Sequence, residues 1–370
     1  NGIIGSLAWL GLNGVGQEPN TDYAATVPHL AFMAFQMMFA VITPALITGA
    51  FAERKRFKAF VIFTLAWATF VYAPVAHWVW GVGGWLRVFG ALDFAGGTVV
   101  HITSGASALV AAIMLGKRLN TTNEPPEPHD ATMTVLGAGL LWFGWFGFNG
   151  GSGIGTGEQS VLAFTNTLLT PAVSLAVWFA LDAIRGRKVT AIGAATAIIV
   201  GCVGITPAGG FISPAWAMAL GVIVTFPCYA LVAWRPRTRV DETLDVLAVH
   251  GLAGFVGILF IGFAAQEAWN SVAANGLGPT GDGLFYGDAS LLGDQALAAL
   301  VAPAYAFAAT FVLLKAIGFV IDLRASKAEE ATGMDVIYHG EEAYPTGEGA
   351  ILVAQEARVA EAPARVVKPG

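Results

Sequence analysis

The sequence predicts an all-α polytopic membrane protein, on three observations: its composition, the recurrence of apolar runs of bilayer length, and the alternation of basic residues between those runs. Hydrophobic residues make up 56% of the 370 and charged residues only 12%, with a mean hydropathy of +0.66. A soluble domain carries about 25% charged residues, so this chain lacks the polar material to face water over most of its surface. Its 46 glycines fit the same class, because small residues let helix backbones approach closely inside lipid. The net charge of −6 says little, since the charges are confined to loops and the tail. Cys202 and Cys228 each sit inside an apolar run and give neither a disulfide framework nor metal-ligand spacing. The chain opens at Asn1 without an initiator Met or a signal-like basic segment, and so reads as trimmed.

Apolar runs of roughly 20 residues, long enough to cross a bilayer as helices, recur near 28–52, 57–80, 95–116, 131–152, 160–183, 189–208, 213–234, 244–267 and 295–322. Turn-forming clusters punctuate them, at Pro19 to Asp22 and at Gly278 to Asp282. Arg54, Lys55 and Arg56 follow the first run, Lys117 and Arg118 the third, Arg185, Arg187 and Lys188 the fifth, and Arg235, Arg237 and Arg239 the seventh. The intervening loops are nearly bare of basic residues, Arg87 excepted. By the positive-inside rule the basic loops and the tail after 323 are expected in the cytoplasm, and Asn1 outside. Lys315, near the cytoplasmic end of the last run, is expected to snorkel.

An internal echo links the third run, Val100-His101-Ile102-Thr103-Ser104-Gly105, to the eighth, Val249-His250-Gly251-Leu252-Ala253-Gly254. Two spans five apart run in opposite directions, so the echo implies inverted five-helix repeats. Counted that way, two spans are expected to precede Asn1. In the tail, 323–344 mixes charge with Asp335, His339, Glu341 and Tyr344 and reads as ordered, whereas the Ala/Pro/Val-rich end from 345 reads as disordered.

Ionisable groups within apolar spans are costly and mark function. A lone intramembrane histidine is as often a core residue bonded to a helix carbonyl; His101 and His250, a pair at repeat-related positions, favour function. Neutral imidazoles can hydrogen-bond one another and offer their remaining ring atoms to a small polar molecule. On the fourth run Trp145, Phe148 and Ser152 fall at i, i+3 and i+7 and share a helix face, as Phe35 and Phe39 do on the first. Such stripes are more often packing than path; the order of a hydroxyl and ring near the mouth, then histidines deeper, favours a path. Trp80 can offer a ring face to a small cation, although a belt tryptophan is the plainer reading, which serves for Trp78 and Trp85. Asp93, ahead of the third run, reads as a structural acid at a helix N-terminus, and Asp245 as its counterpart ahead of the eighth. Asp241 and Glu242, beside Arg239, read as a solvated loop. The glycines from Gly147 to Gly157 lack dinucleotide-binding spacing and read as helix packing. Asn120-Thr121-Thr122 is a glycosylation sequon on the expected cytoplasmic side. No nucleic-acid patch, metal cluster or converging nucleophile, base and acid is present, which argues against an enzyme.

These residues resemble the Amt/Rh/Mep ammonium transporter family, in its bacterial-type Amt branch. The resemblance runs along the chain through Ala52-Glu53-Arg54, Ala76-His77-Trp78-Val79-Trp80-Gly81, Asp93 to His101, Gly144-Trp145-Phe146-Gly147-Phe148-Asn149, Asp245-Val246, Val249-His250-Gly251 and the tail from Asp335 to Tyr344. It implies the family's eleven-span fold, of which nine spans are present, and a homotrimer. The division is then a transport domain over 1–322, a cytoplasmic regulatory tail over 323–344 and a disordered end over 345–370. The implied site recruits ammonium, or methylammonium, at Trp80, Phe39 and Ser152. Phe39 and Phe148 look like the stacked ring gate with Phe35 beside it, and His101 and His250 like the twin histidines, with Trp145 lining the path. Ammonia would pass this apolar pore after deprotonation, because a dry path disfavours any charge and so lowers the pKa of bound ammonium. The resemblance also implies the inner membrane, a PII-type signal protein as a possible cytoplasmic partner, and no cofactor. An ammonium sensor signalling through the tail, or an Rh-type gas channel, is the alternative; Trp80 and the ring pair argue against the latter. Thr103-Ser104 departs from the Asn-Ala of many members.

Overall fold

The computed structural model describes residues 1–119, 128–269 and 281–341. The sequon at Asn120 and the tail from residue 342 onward lie outside the described residues. Helices account for nearly all regular structure: α1 (His29–Ile47), α2 (Phe57–Trp67), α3 (Ala73–Trp80), α4 (Trp85–Phe89), α5 (Thr103–Leu115), α6 (Ala131–Gly151), α7 (Glu158–Ile184), α8 (Ala191–Ile205), α9 (Pro214–Trp234), α10 (Ala253–Ala264), α11 (Ser290–Gly318), α12 (Lys327–Thr332) and α13 (Met334–His339). Among the described residues there is no strand, only isolated bridges at Pro19–Pro28 and Lys55–Arg324. Among the described residues three π-helical turns join or extend these helices: Ala68–Tyr72 between α2 and α3, Gly97–Ile102 ahead of α5, and Leu247–Leu252 ahead of α10.

Eight helical stretches among the described residues are long and apolar enough to cross a bilayer. With α8, a shorter apolar helix of 15 residues, they match the nine runs of the sequence. The chain is therefore a multi-pass membrane protein. α8 is shorter than its run because the chain turns after Ile205 and starts α9 only at Pro214, which a Ser213 side-chain cap and proline in the first turn favour.

Burial separates the spans by role. The stretch Gly97–Leu115 is 78% buried and Leu247–Ala264 61%, whereas Ala131–Gly151 is only 11% buried. The two histidine-bearing helices are thus the centre, and the others wrap them with apolar outer faces. The centre closes because two glycines meet. A Cβ on Gly105 would stand 2.3 Å from the Gly251 Cα, so only glycine lets α5 cross the turn Leu247–Leu252 at this distance. One turn away, a Cβ on Gly254 would lie 3.0 Å from both the Gly97 carbonyl and the His101 Cβ. The glycines from Gly147 to Gly157 do not act alike: Gly151 and Gly153 lie against Phe35 and Ser160, but Gly147 and Gly157 face open space.

The basic end is more ordered than its sequence suggests. Asp241 and Glu242 are buried, at 7% and 1% exposure, and are not the solvated loop their neighbours imply. Arg118 reaches across from the end of α5 and grips Asp241 with two side-chain hydrogen bonds of 3.0 and 2.8 Å, with Glu53 on its other nitrogen at 2.9 Å. A bidentate guanidinium–carboxylate pair offsets the cost of burying both charges. The tail is tied in by main-chain bonds from Arg56 to Leu323 and from Ala325 to Arg54. Arg324 adds bonds to Glu330 and to the Leu115 carbonyl, and α12 starts on a Ser326–Glu329 capping box.

Gly105→Ala is expected to destabilise the protein by about 1–3 kcal/mol or more, as overpacking against rigid backbone does. Gly147→Ala, where nothing lies within 4 Å, is expected to leave stability unchanged or slightly raised. Thermal unfolding of the two detergent-solubilised variants checks this; equal Tm values would contradict the crossing as the packing constraint.

Candidate functional site

His101 is positioned by a helix start that satisfies all its backbone donors. The Asp93 carboxylate accepts from the N–H groups of Gly96, Gly97, Thr98 and Val99 at 2.8, 2.7, 2.7 and 3.1 Å. Gly96, at φ 115°, supplies the left-handed turn that folds these amides onto one side chain. The π turn then shifts the register by one residue, and the Thr103 and Ser104 hydroxyls bond back to the Val99 and His101 carbonyls at 2.6 and 3.1 Å. Such turns are frequent at functional sites because they re-aim a side chain without ending the helix.

His250 stands in the equivalent place of the second π turn, but the capping acid differs from expectation. Glu242 accepts the Leu247 N–H at 2.8 Å. Asp245 instead lies at φ 55° and pairs with Arg235. The longer side chain reaches the helix start from three residues further back, which frees Asp245 for the arginine.

The two imidazoles meet across the Gly105–Gly251 crossing, Nδ1 to Nδ1, at 3.2 Å. They are 1% and 9% exposed. Such a contact needs one Nδ1 to donate and the other to accept, so at least one ring is neutral. With both rings neutral, the donor's Nε2 is an acceptor and the acceptor's Nε2 carries a proton. The pair then offers one donor and one acceptor. The Nε2 of His101 is buried without a hydrogen-bond partner among the described residues, an atom that normally would be satisfied.

Aromatic rings lead from this pair toward the opposite end from the basic loops. His101 lies near-parallel to Trp145 (5.5 Å, 16°) and to Phe148 (5.8 Å, 19°). Phe148 meets Phe39 at 4.7 Å with the rings inclined at 60°, so this pair is edge-on rather than parallel. Phe39 in turn touches Phe35 (5.0 Å) and Trp80 (5.6 Å). Trp145 is held by its indole N–H, which donates to the Thr206 hydroxyl at 2.8 Å.

Beyond Phe39 opens a cavity of about 240 Å³ lined by Phe39, Trp80 and Ser152 together with Tyr23, Gln36 and Arg87. The structure therefore brings the three residues of the expected outer site to one vestibule. Trp80 is pinned at both ends of its residue, its indole N–H donating to the Asp93 carbonyl at 2.8 Å and its own carbonyl accepting from Arg87 at 2.7 Å. The Ser152 hydroxyl donates to the Phe148 carbonyl at 2.8 Å, which leaves its lone pairs as acceptors for a cation that donates.

Thr206, Gln36, Arg87 and Glu242 were not singled out for this site from the sequence. A threonine in an apolar helix, a glutamine between methionine and phenylalanine, and an acid beside arginines carry no local signal. Arg87 did stand out, as the basic residue in an otherwise bare loop.

A family model described as the Ammonium Transporter Family matches residues 1–344. The chain belongs to the ammonium transporter family. Among its relatives are an ammonium transporter of Bacillus subtilis, 46% identical over 345 residues and covering 93% of this chain and 83% of the relative. Ammonium transporter Amt1 of Archaeoglobus fulgidus is 41% identical over 344 residues, at 93% and 83% coverage. Of solved structures, the fold is similar to Saccharomyces cerevisiae Mep2 with a TM-score of 0.82 at 36% identity, covering 88% of this chain and 73% of that one. It is also similar to a structure described as a sensor Amt protein, with a TM-score of 0.79 at 30% identity, covering 91% and 82%.

Within this family member, Glu242 gives a pH-dependent expectation. Burial, with the Asp245 charge adding to it, raises its carboxyl from 4.5 to about 7. The folded state then favours the protonated acid, so the stability it contributes is full below the ordinary carboxylate range and is lost as pH rises through 7. The Tm of the wild type is expected to fall more between pH 5 and pH 8 than that of Glu242→Gln, a window taken from those two values. Parallel profiles would contradict it.

Proposed function

We propose that this chain carries ammonium across the membrane, taking the cation at the Trp80–Phe39–Ser152 vestibule and passing ammonia along His101 and His250. The observation that carries the reading is the histidine pair, with the run of rings that joins it to the vestibule. Ammonium and potassium are close in size and charge, so a ring of charges would not separate them. They differ in that ammonium donates directional hydrogen bonds and can lose its proton. At the vestibule the Trp80 and Phe39 faces stabilise a cation and the Ser152 oxygen accepts from it. Past Phe39 and Phe148 the dry path disfavours any charge, so ammonia enters and potassium does not.

Ammonia is itself both donor and acceptor, and the paired imidazoles offer one of each. It can exchange one hydrogen bond for the next without meeting a fixed charge. The positive-inside rule puts the basic end and the docked tail in the cytoplasm and the vestibule outside, in a cell membrane. The family resemblance adds a homotrimer and a cytoplasmic PII-type partner at the basic end. The likeness to a sensor Amt protein favours a second reading, in which the vestibule reports ammonium through the tail.

Uptake of methylammonium and ammonium-evoked current in proteoliposomes separate the two. Uptake with potassium excluded supports transport, while occupancy without uptake moves the assignment to a sensor. Trp80→Leu is expected to raise the half-saturating ammonium concentration about 2- to 30-fold, the equivalent of one cation–π contact of about 0.5–2 kcal/mol. An unchanged half-saturation would remove Trp80 from the recruiting site.

A further inference from the structure

Arg87 is the only Lys or Arg in the loops that the positive-inside rule assigns to the outer side, and it stands on the wall of the vestibule. Its guanidinium donates to the Trp80 carbonyl at 2.7 Å, so it holds the tryptophan that the proposed recruiting site uses. The same contact fixes a positive charge in a cavity of about 240 Å³ that is to admit a cation. Like charges at this range repel, and the repulsion fades only where salt screens it.

Asp22 lines the same cavity and is its one carboxylate among the described residues. Its charge acts on the Arg87 guanidinium. The segment that carries it is well fixed. The Asp22 N–H donates to the Asn20 side-chain oxygen at 3.1 Å. The next residue, Tyr23, stacks on Phe32 of α1 (5.5 Å, 28°), and its hydroxyl accepts from the Val82 N–H at 3.3 Å. His77, the histidine of the lining, bonds the Asn1 carbonyl through Nε2 at 2.7 Å. Asp22 and Arg87 are therefore the two fixed charges of the vestibule, and they are of opposite sign. Asp22 itself is exposed, so replacing its carboxylate buries no orphaned group.

We propose that Asp22 is a further affinity-determining residue of the vestibule, offsetting the Arg87 charge so that ammonium or a primary alkylammonium can enter. This inference rests on the reading of the vestibule as the recruiting site. With Asp22 in place the two fixed charges cancel, and the cation meets the ring faces and the Ser152 oxygen without net repulsion. Without it the mouth carries one positive charge, and the cation's local concentration falls. The effect is electrostatic and therefore indifferent to which monovalent cation approaches. Asp22 sets how much cation is held at the mouth, and the choice between ammonium and potassium stays with the path beyond Phe39 and Phe148.

The test compares wild type, Asp22→Asn and Asp22→Glu of the full chain, with methylammonium as the probe. Half-saturation is read from uptake into phosphatidylcholine proteoliposomes and from thermal shift in detergent. Each is measured at ionic strengths of about 0.01 M and about 1 M, where the screening length is about 30 Å and about 3 Å. At low salt Asp22→Asn is expected to raise half-saturation about 3- to 10-fold, the order for one unit charge a few ångströms away in a water-filled mouth. At high salt the two proteins are expected to converge, with maximal uptake and potassium exclusion unchanged throughout and Asp22→Glu close to wild type. A half-saturation equal to wild type at low salt overturns the inference. So does a loss that salt leaves untouched, because Asp22 then acts through structure and not through charge. A wild type with neither saturable uptake nor a methylammonium-dependent thermal shift overturns the vestibule reading itself, an outcome distinct from a saturable wild type that Asp22→Asn matches.

Discussion

The contact between Gly105 and Gly251 decides where everything else can stand. It sets the distance between the two central helices, and that distance in turn sets the 3.2 Å separation of the imidazole nitrogens. A side chain at Gly105 would meet the Gly251 backbone at 2.3 Å and push the helices apart. The surrounding helices wrap this pair, and their outer faces remain apolar because lipid, not water, is their solvent. In lipid there is no water to satisfy a stray amide. The π turns and the Asp93 and Glu242 caps are therefore part of the same constraint: each histidine is re-aimed while nearby backbone groups keep partners.

The site follows from order along one line. An open vestibule with ring faces and a hydroxyl acceptor lies at one end, a pair of inclined phenyl rings comes next, and the histidines stand behind them. Each part alone has an ordinary explanation in packing. Under the proposed function, together they form a graded change of solvent, from a place that would hold a cation to one that would admit only a neutral molecule able to donate and accept. The Nε2 of His101 is among the buried polar atoms without a hydrogen-bond partner among the described residues, and within the row of rings and histidines it is one that packing leaves unsatisfied.

Much of this was legible in the sequence, for physical reasons. Apolar runs of bilayer length, loops alternately basic and bare, and two histidines in echoing contexts are local patterns. The fold class, the spans and the grouping of Trp80, Phe39 and Ser152 followed from them or from the family likeness they carry. The π turns were not legible, because one added residue in an apolar stretch leaves hydropathy unchanged. Asp241 looked solvated because its partner lies far away in the chain, Arg118 being 123 residues from it, and Glu242 because a cap on a helix start five residues on leaves no mark in hydropathy. Arg54 and Lys55 served only as orientation signals, and the sequence carried no sign that both are buried, Arg54 completely. For Asp241 and Arg54 a long-range contact overruled the local reading.

The central claim is that His101 and His250 together carry ammonia and exclude other cations. The most direct measurement is uptake and potassium leak by the His101→Ala/His250→Ala double variant reconstituted beside wild type. The account predicts impaired ammonium selectivity, with lower uptake, potassium entry or both. Unchanged uptake with unchanged potassium exclusion in a folded double variant would contradict it.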